Sequence, residues 1–264
     1  MIKMKKISIA LVALSMSLTV YAQTVTVDNY YNKENRKLKD GRTEDFHYLW
    51  TDKTTSGFSI LGETFLKNGA KALTTLTQAP TMQNLKKTDI YIIVDPDHLG
   101  DSPTPNYMDE KSVQTIANWV KEGGVLLLMG NDEANADLKH FNILAAKFGF
   151  TFNSDIILAV KDDEHFDYGG LSTLGSSLFK TSKHIFIKNA ASIAIQHTAT
   201  PILKTKDGKN AIVSAKYGKG IVLAVGDPWL YNEYTNGRLP ARFENDKAAD
   251  DLTQWLLEKT KKVQ

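Results

Sequence analysis

Carboxylates, carboxamides and aromatic rings gather at four places in this sequence. They are Asp28-Asn29-Tyr30-Tyr31-Asn32, Asp95-Pro96-Asp97-His98, Gly130-Asn131-Asp132 with Asn135 beyond it, and Gly226-Asp227-Pro228-Trp229-Leu230-Tyr231-Asn232-Glu233-Tyr234 with Arg238 beyond it. The combination suits a polyhydroxylated ligand, because polar groups bond hydroxyls and aromatic faces stack on sugar rings. Ligand sites of this kind hold a few placed polar groups in a concave wall. Glycoside hydrolysis needs two carboxyl groups, one to deliver a proton and one to act as base or nucleophile. The candidates are Asp97, Asp132, Asp227 and Glu233, with Glu233 or Asp227 handling the proton and Asp97 or Asp132 opposite. Trp50, Trp229 and Tyr231 are candidate sugar platforms, and the planar fork of Arg238 matches a uronate carboxylate. Asp28, Asn29, Tyr30, His47, Asn131 and Asn232 complete the candidate binding set.

Each cluster taken alone has a plain structural explanation. Asp-Pro and Gly-Asp-Pro start turns, and Asp or Asn caps helices. Four such clusters point to a shared site only if the fold brings them to one edge. The elements around them predict that it does. Thr24–Asp28 alternates β-branched residues. Ile90–Val94, Val125–Met129 and residues 221–225 are continuous apolar runs, as strands buried on both faces of a parallel sheet require. Ala72–Leu76 adds a short strand.

Helical periodicity lies between these runs. Phe58, Leu61, Phe65 and Leu66 share one face before Asn68-Gly69; Val113, Ile116, Trp119 and Val120 follow Asp109 and stop at Gly123-Gly124. Leu138, Phe141, Leu144, Ala145 and Phe148 mark another helix, and Ala249, Leu252, Trp255 and Leu256 the last, over residues 245–261. The predicted fold class is α/β, with a mainly parallel central sheet and helices on both faces. Residues 151–216 lose the helical rhythm and read as an antiparallel extension, with apolar pieces at 156–160, 185–187, 202–203 and 212–213. In open sheets of this class, ligands bind outside the carboxyl ends of the strands. All four polar clusters leave predicted strands at that edge.

Other chemistries lack their residues. There is no cysteine, which excludes disulfide scaffolds, cysteine nucleophiles and zinc–thiolate sites. No Gly-x-Ser-x-Gly elbow or Walker loop occurs, and Lys216-Tyr217-Gly218-Lys219-Gly220 reads as a hairpin turn. The six histidines show no His-x-x-x-His spacing. Asp162-Asp163-Glu164 with Asp167 is an acidic run without the glycine spacing of a calcium loop, and reads as solvated. Neither cofactor nor metal is expected. Basic residues are scattered, so nucleic acid is not an expected partner.

Residues 1–22 have the pattern of a cleaved signal peptide: Lys3, Lys5 and Lys6, an apolar run over 7–20, then Val20-Tyr21-Ala22. The run is shorter than the roughly 20 residues a membrane-spanning helix needs, and no lipidation cysteine follows. The expectation is a periplasmic or secreted protein, not membrane-embedded, with residues 23–264 forming one domain. The whole chain carries 32 basic against 30 acidic residues. Cleavage removes three lysines and no acid, leaving 29 against 30 and no bulk attraction for anions.

The stretches Tyr91-Ile92-Ile93-Val94-Asp95-Pro96-Asp97, residues 119–128 and residues 226–234 resemble the module found C-terminal to bacterial unsaturated rhamnogalacturonyl hydrolases. So do Asp28-Asn29-Tyr30-Tyr31-Asn32 and His47-Tyr48-x-Trp50. That module is similar in fold to class I glutamine amidotransferases, which are flavodoxin-like. The resemblance implies a setting, the breakdown of pectin-like polysaccharides, with an oligosaccharide or acidic plant glycan as ligand and a polysaccharide-degrading enzyme as possible associate. It implies no amidotransferase activity, because the cysteine of that chemistry is missing and Gly130-Asn131-Asp132 stands at the comparable strand exit. Three functions stay open at this point: glycan processing, glycan binding without catalysis, and a scaffold whose polar edge only caps helices.

Overall fold

The computed structural model describes residues 23–54, 56–228, 231–232 and 235–261. The signal-peptide stretch, Trp229 and Glu233 lie outside the described residues. In chain order the elements are β1 (Thr24–Asp28), β2 (Glu34–Lys37), β3 (Thr43–Phe46), α1 (Ser59–Lys67), β4 (Ala72–Leu76), α2 (Met82–Leu85), β5 (Ile90–Val94), α3 (Glu110–Glu122), β6 (Val125–Met129) and α4 (Leu138–Lys147). There follow β7 (Phe150–Phe152), a 3-10 turn (Asp163–Gly169), β8 (Gly170–Ser172), β9 (His184–Phe186), β10 (Ile193–Ile195), β11 (Thr200–Lys204), β12 (Asn210–Tyr217), β13 (Gly220–Val225) and α5 (Asn245–Lys261).

Seven strands form the central sheet in the order β11-β12-β13-β6-β5-β1-β4. Pairings among β4, β1, β5, β6 and β13 are all parallel, and β12 and β11 extend the sheet antiparallel at one side. The expected mixed α/β class with its antiparallel extension is the observed one. The five parallel strands run in the order second-first-third-fourth-fifth, the flavodoxin-like pattern. Its switch point lies between β1 and β5, where successive connections leave in opposite directions.

Alternation along the strands sorts side chains into two cores, since neighbouring residues point to opposite faces. Val25, Val27, Ile90, Ile92, Leu127, Leu223 and Val225 face α1 and α5. Tyr91, Ile93, Leu126, Leu128, Val222 and Ala224 face α3 and α4. Helix ends follow the sequence signals. Asp109 accepts from Ser112 N at 2.8 Å to cap α3, and Gly123 ends it at φ 126°. Leu66 departs from expectation: it is 46% exposed, because α1 buries Leu61 and Phe65 but turns Leu66 to solvent.

Helix α5 closes the face over β1. Gln23 Nε2 donates to Leu257 O at 2.8 Å and also to Thr260 Oγ1. Asp251 on the same helix anchors the antiparallel excursion, accepting from Thr181 N and Oγ1 and from Ser182 N and Oγ. Among the described residues, no helix is long and apolar enough to cross a membrane.

Residues 156–160, expected as a strand piece, make only the single bridge Ile157–Ala190, since Leu158 takes φ 56° and breaks the ladder. The acidic run of the 3-10 turn is taken up by bases: Asp162 by His165, Asp163 by Arg238 and Asp167 by Arg242.

Candidate functional site

The switch point carries a cleft of about 190 Å³. Asp95, the first residue past β5, forms its floor. Asn131 and Asp132 enter from the end of β6, Glu34 from β2, His47 and Tyr48 from the end of β3, Asp101 from the loop after β5, and Lys188 and Asn189 from the segment after β9. Its size is below the roughly 300–1,000 Å³ of sites for drug-sized ligands, and fits one small polar molecule.

Asp95 is held by both neighbouring strands. Its backbone N donates to Met129 O at 2.9 Å, and its carbonyl accepts from Asn32 Nδ2 at 2.6 Å. The side chain accepts at Oδ2 from Tyr48 Oη at 2.7 Å and from Asn131 Nδ2 at 3.3 Å. Among the described residues Oδ1 has no partner, although Asp95 is only 6% exposed. Burial raises this acid to about 7, against the pull of Tyr48, Asn131 and His47 toward ionisation. Four non-glycine residues here take left-handed backbone: His47 at φ 66°, Tyr48 at 47°, Asp95 at 46° and Asn189 at 54°. Each such placement costs about 1–2 kcal/mol, and strain of this kind collects where geometry serves a site.

His47 Nδ1 lies 2.8 Å from Glu34 Oε1. Burial alone would lower this imidazole, but Glu34, Asp95 and Asp52 more than offset it and raise its pKa. Tyr48, buried against Asp95, is pushed well above the usual phenol range. Asp132 spends its carboxylate on its own turn, accepting from Ala134 N at 3.0 Å and Asn135 Nδ2 at 2.8 Å. Asp101 Oδ2 lies 2.8 Å from His98 Nδ1.

Other candidates lie behind the cleft wall. Asp28 ends β1 and accepts from Tyr30 N, Tyr31 N and Tyr91 Oη; burial leaves it raised to about 6. Asn29 Nδ2 bonds Asn32 O at 2.8 Å, and Tyr30 packs edge-on to Tyr31. Asp97 is raised to about 7 by burial and by Glu34 and Asp101, and accepts from Lys33 N at 2.8 Å. Asp227 is fully buried and accepts from Lys188 N at 2.7 Å. Of the four candidate catalytic carboxylates, only Asp132 lines the cleft; Asp97 and Asp227 support it from behind, and Glu233 lies outside the described residues.

The expected platforms and clamp have other employment. Trp50 donates from Nε1 to Thr74 O at 2.8 Å and packs on Phe58 and Phe65, so it ties α1 to β4. Tyr231 is 4% exposed within the α5-side core, and Asn232 is buried beside it. The fork of Arg238 is bidentate on Asp163, at 2.8 and 2.7 Å. Replacing Arg238 by alanine is therefore expected to leave the affinity for uronates within about twofold of the parent by calorimetry. The stability loss should stay within about 1 kcal/mol, as for an exposed pair.

The structure presents Asp95 at the cleft where the sequence points to Asp97, and it also brings Glu34, Tyr48, Asp101, Lys188 and Asn189 there. One signal was present: the first residue beyond a parallel strand stands nearest the crevice. Among the described residues, no three histidine or acidic side chains gather in a way that could hold a metal ion.

No protein-family profile matches the sequence, and no curated protein matches it. Solved structures do. The chain is similar to the mmIFT52 N-terminal domain at 14% identity and TM-score 0.65, over 89% of this chain and 97% of that one. It is similar to a β-galactosidase from Rahnella sp. R3 at 15% identity and TM-score 0.53, over 90% of this chain and 31% of that one. It is also similar to the exo-β-1,4-mannosidase Op5Man5 from Opitutaceae bacterium strain TAV5, at 13% identity and TM-score 0.51. That match spans 89% of this chain and 36% of the mannosidase, so the chain corresponds to about a third of each glycosidase. At these identities the likeness establishes the α/β fold that the chain shares with the mmIFT52 N-terminal domain and with portions of two glycosidases.

Proposed function

We propose that this chain is an exported carbohydrate-active protein of plant-polysaccharide breakdown, a cysteine-free form of the amidotransferase-like module, whose Asp95 cleft receives a single sugar unit. One observation carries the reading. At the switch point, where this strand order binds ligands, a strained and buried Asp95 holds one carboxyl oxygen without a partner among the described residues, beside the polar side chains of Tyr48 and Asn131. A buried polar atom left unpaired costs about 1–3 kcal/mol, which a ligand hydroxyl or amine recovers on binding. The cleft size favours one ring, at the end of a chain or free, over a threaded polymer. The occurrence of two glycosidases among proteins of this fold supports a carbohydrate setting.

Processing is the second reading, favoured by the acid raised to about 7 at the floor of the cleft. A carboxyl that keeps its proton near neutrality is suited to general acid catalysis, with Glu34 across the cleft as the companion carboxylate. Isothermal titration of mono- and oligosaccharides into the parent protein and Asp95→Asn tests both readings, with chromatography of the same mixtures. A sugar that binds the parent and binds the variant at least tenfold more weakly supports the site. New products made by the parent alone add catalysis. Equal affinity in the two proteins, or no heat from any sugar, sinks the proposal.

A further inference from the structure

The walls of the Asp95 cleft are unbalanced in charge. Among the described residues, Glu34, Asp95, Asp101 and Asp132 contribute four carboxyl groups, and His47 and Lys188 contribute the basic ones. Most of these carboxyls are already engaged. Glu34 is held by His47, Asp101 by His98, and Asp132 by Ala134 N and Asn135 Nδ2. Asp95 is the exception: it lines the cleft, is 94% removed from solvent, and its Oδ1 is unpartnered among the described residues. Its Oδ2 receives only neutral donors, Tyr48 Oη and Asn131 Nδ2.

We infer that the cleft selects a ligand carrying a protonated amino group, with its ammonium on the Asp95 carboxyl; where the ring is a saccharide, it is an amino sugar rather than the uronate of a pectin-like glycan. This rests on the saccharide reading for the ring, but not for the charge. An N–H donor that carries charge makes a bond roughly twice as strong as a neutral one. It also supplies the counter-charge that a buried carboxylate needs. A uronate would instead bring a fifth carboxylate to a cleft whose described bases are two, His47 and Lys188, and Arg238 is committed to Asp163 outside it. A molecular cation is preferred to a metal ion, since the described carboxylates and histidines do not converge on a common point.

The test is titration calorimetry of the parent protein at pH 8 with galactosamine, galactose, N-acetylgalactosamine, galacturonic acid, ethanolamine and calcium chloride, repeated on Asp95→Asn. Folding of the variant is checked by circular dichroism. Galactosamine is expected to bind at least tenfold more tightly than galactose or the N-acetylated sugar, and galacturonic acid most weakly. The preference should vanish in the variant. Ethanolamine binding with no sugar binding upholds the charge selection and removes the saccharide reading. Galactose and galacturonic acid binding as tightly as galactosamine overturns the charge selection and leaves the saccharide reading standing. Calcium binding without amine binding overturns the inference, and so does silence from every amine.

Discussion

Asp95→Asn is expected to raise the unfolding free energy at pH 8 by about 2–4 kcal/mol, with the gain shrinking as pH falls toward 4. The folded protein raises this acid to about 7 from an ordinary value of 3.8. Below the ordinary value both states hold the proton. Between about 4 and 7 the unfolded chain has released it and the folded chain has not, so the folded state binds more protons and stability falls as pH rises. Above about 7 the full penalty of an ionised, buried carboxylate is present. Each pKa unit corresponds to about 1.4 kcal/mol, which sets the size.

The amide is isosteric with the protonated acid. It can keep its oxygen toward Tyr48 and Asn131 while carrying no charge. Asp97, raised to about 7, and Asp28, raised to about 6, slope the curves of both proteins in the same sense, each between its ordinary and its folded value. His47 acts in the same sense. Its raised pKa supplies stability in full below its ordinary value of 6.5, and this is lost as pH rises through the higher folded value. Urea unfolding of both proteins from pH 4.5 to 8.5 measures the difference. Parallel curves, or a variant weaker than the parent at pH 8, would show that water or a counter-charge already reaches Oδ1.

The second large effect lies far along the chain, on α5. Asp251→Ala should cost about 4 kcal/mol and lower the melting temperature by about 10 °C, at the few degrees per kcal/mol usual for domains of this size. The carboxylate accepts from four donors, Thr181 N and Oγ1 and Ser182 N and Oγ, at 3.0–3.1 Å. Hydrogen bonds to a charged group are worth about 1.5–3 kcal/mol each, and orphaned donors add their own desolvation cost. Asp251 and Ser182 are both buried, so water is a poor substitute. The pinned turn also seats Leu178 and Phe179 in the α5-side core. Calorimetric melts at pH 7 decide it; a loss below about 1 kcal/mol would mean that the turn re-forms around solvent.

The sheet was readable because its strands are apolar on both faces, and a run such as Ile-Tyr-Ile-Ile-Val has few other uses. Helix limits were readable where a cap and a glycine bracket the periodic stretch, as Asp109 and Gly123 do. The β2–β3 hairpin gave no such signal. Its residues, Glu-Asn-Arg-Lys and Thr-Glu-Asp-Phe, show no apolar alternation, and the pair is stitched by Arg36–Glu44 at 2.6 Å. With the hairpin unseen, Glu34 had no reason to stand out as part of a cleft.

The edge of the sheet that carries the polar clusters followed from strand order, but not which side chain turns inward. Asp95 and Asp97 are two residues apart, and the left-handed turn at Asp95 decides which of them lines the cleft. Residue type also says nothing about prior commitments. Trp50 is spent on Thr74, Arg238 on Asp163 and Tyr231 on the core, and each partner is distant in sequence or emerges only in the packed chain.

The tie between Gln23 and Leu257 has a consequence for how the chain is made. Synthesis runs from the amino end, and domains generally fold as units. Here the cover for Val25, Val27, Ile90 and Ile92 is partly α5, residues 245–261. β13 must also return across the whole excursion from residue 150 to 217 before it can pair with β6. Until α5 is made, α1 alone covers that face and part of its apolar surface stays open to solvent. The growing polypeptide is sticky over that interval, and a truncation before residue 245 should be recovered as aggregate.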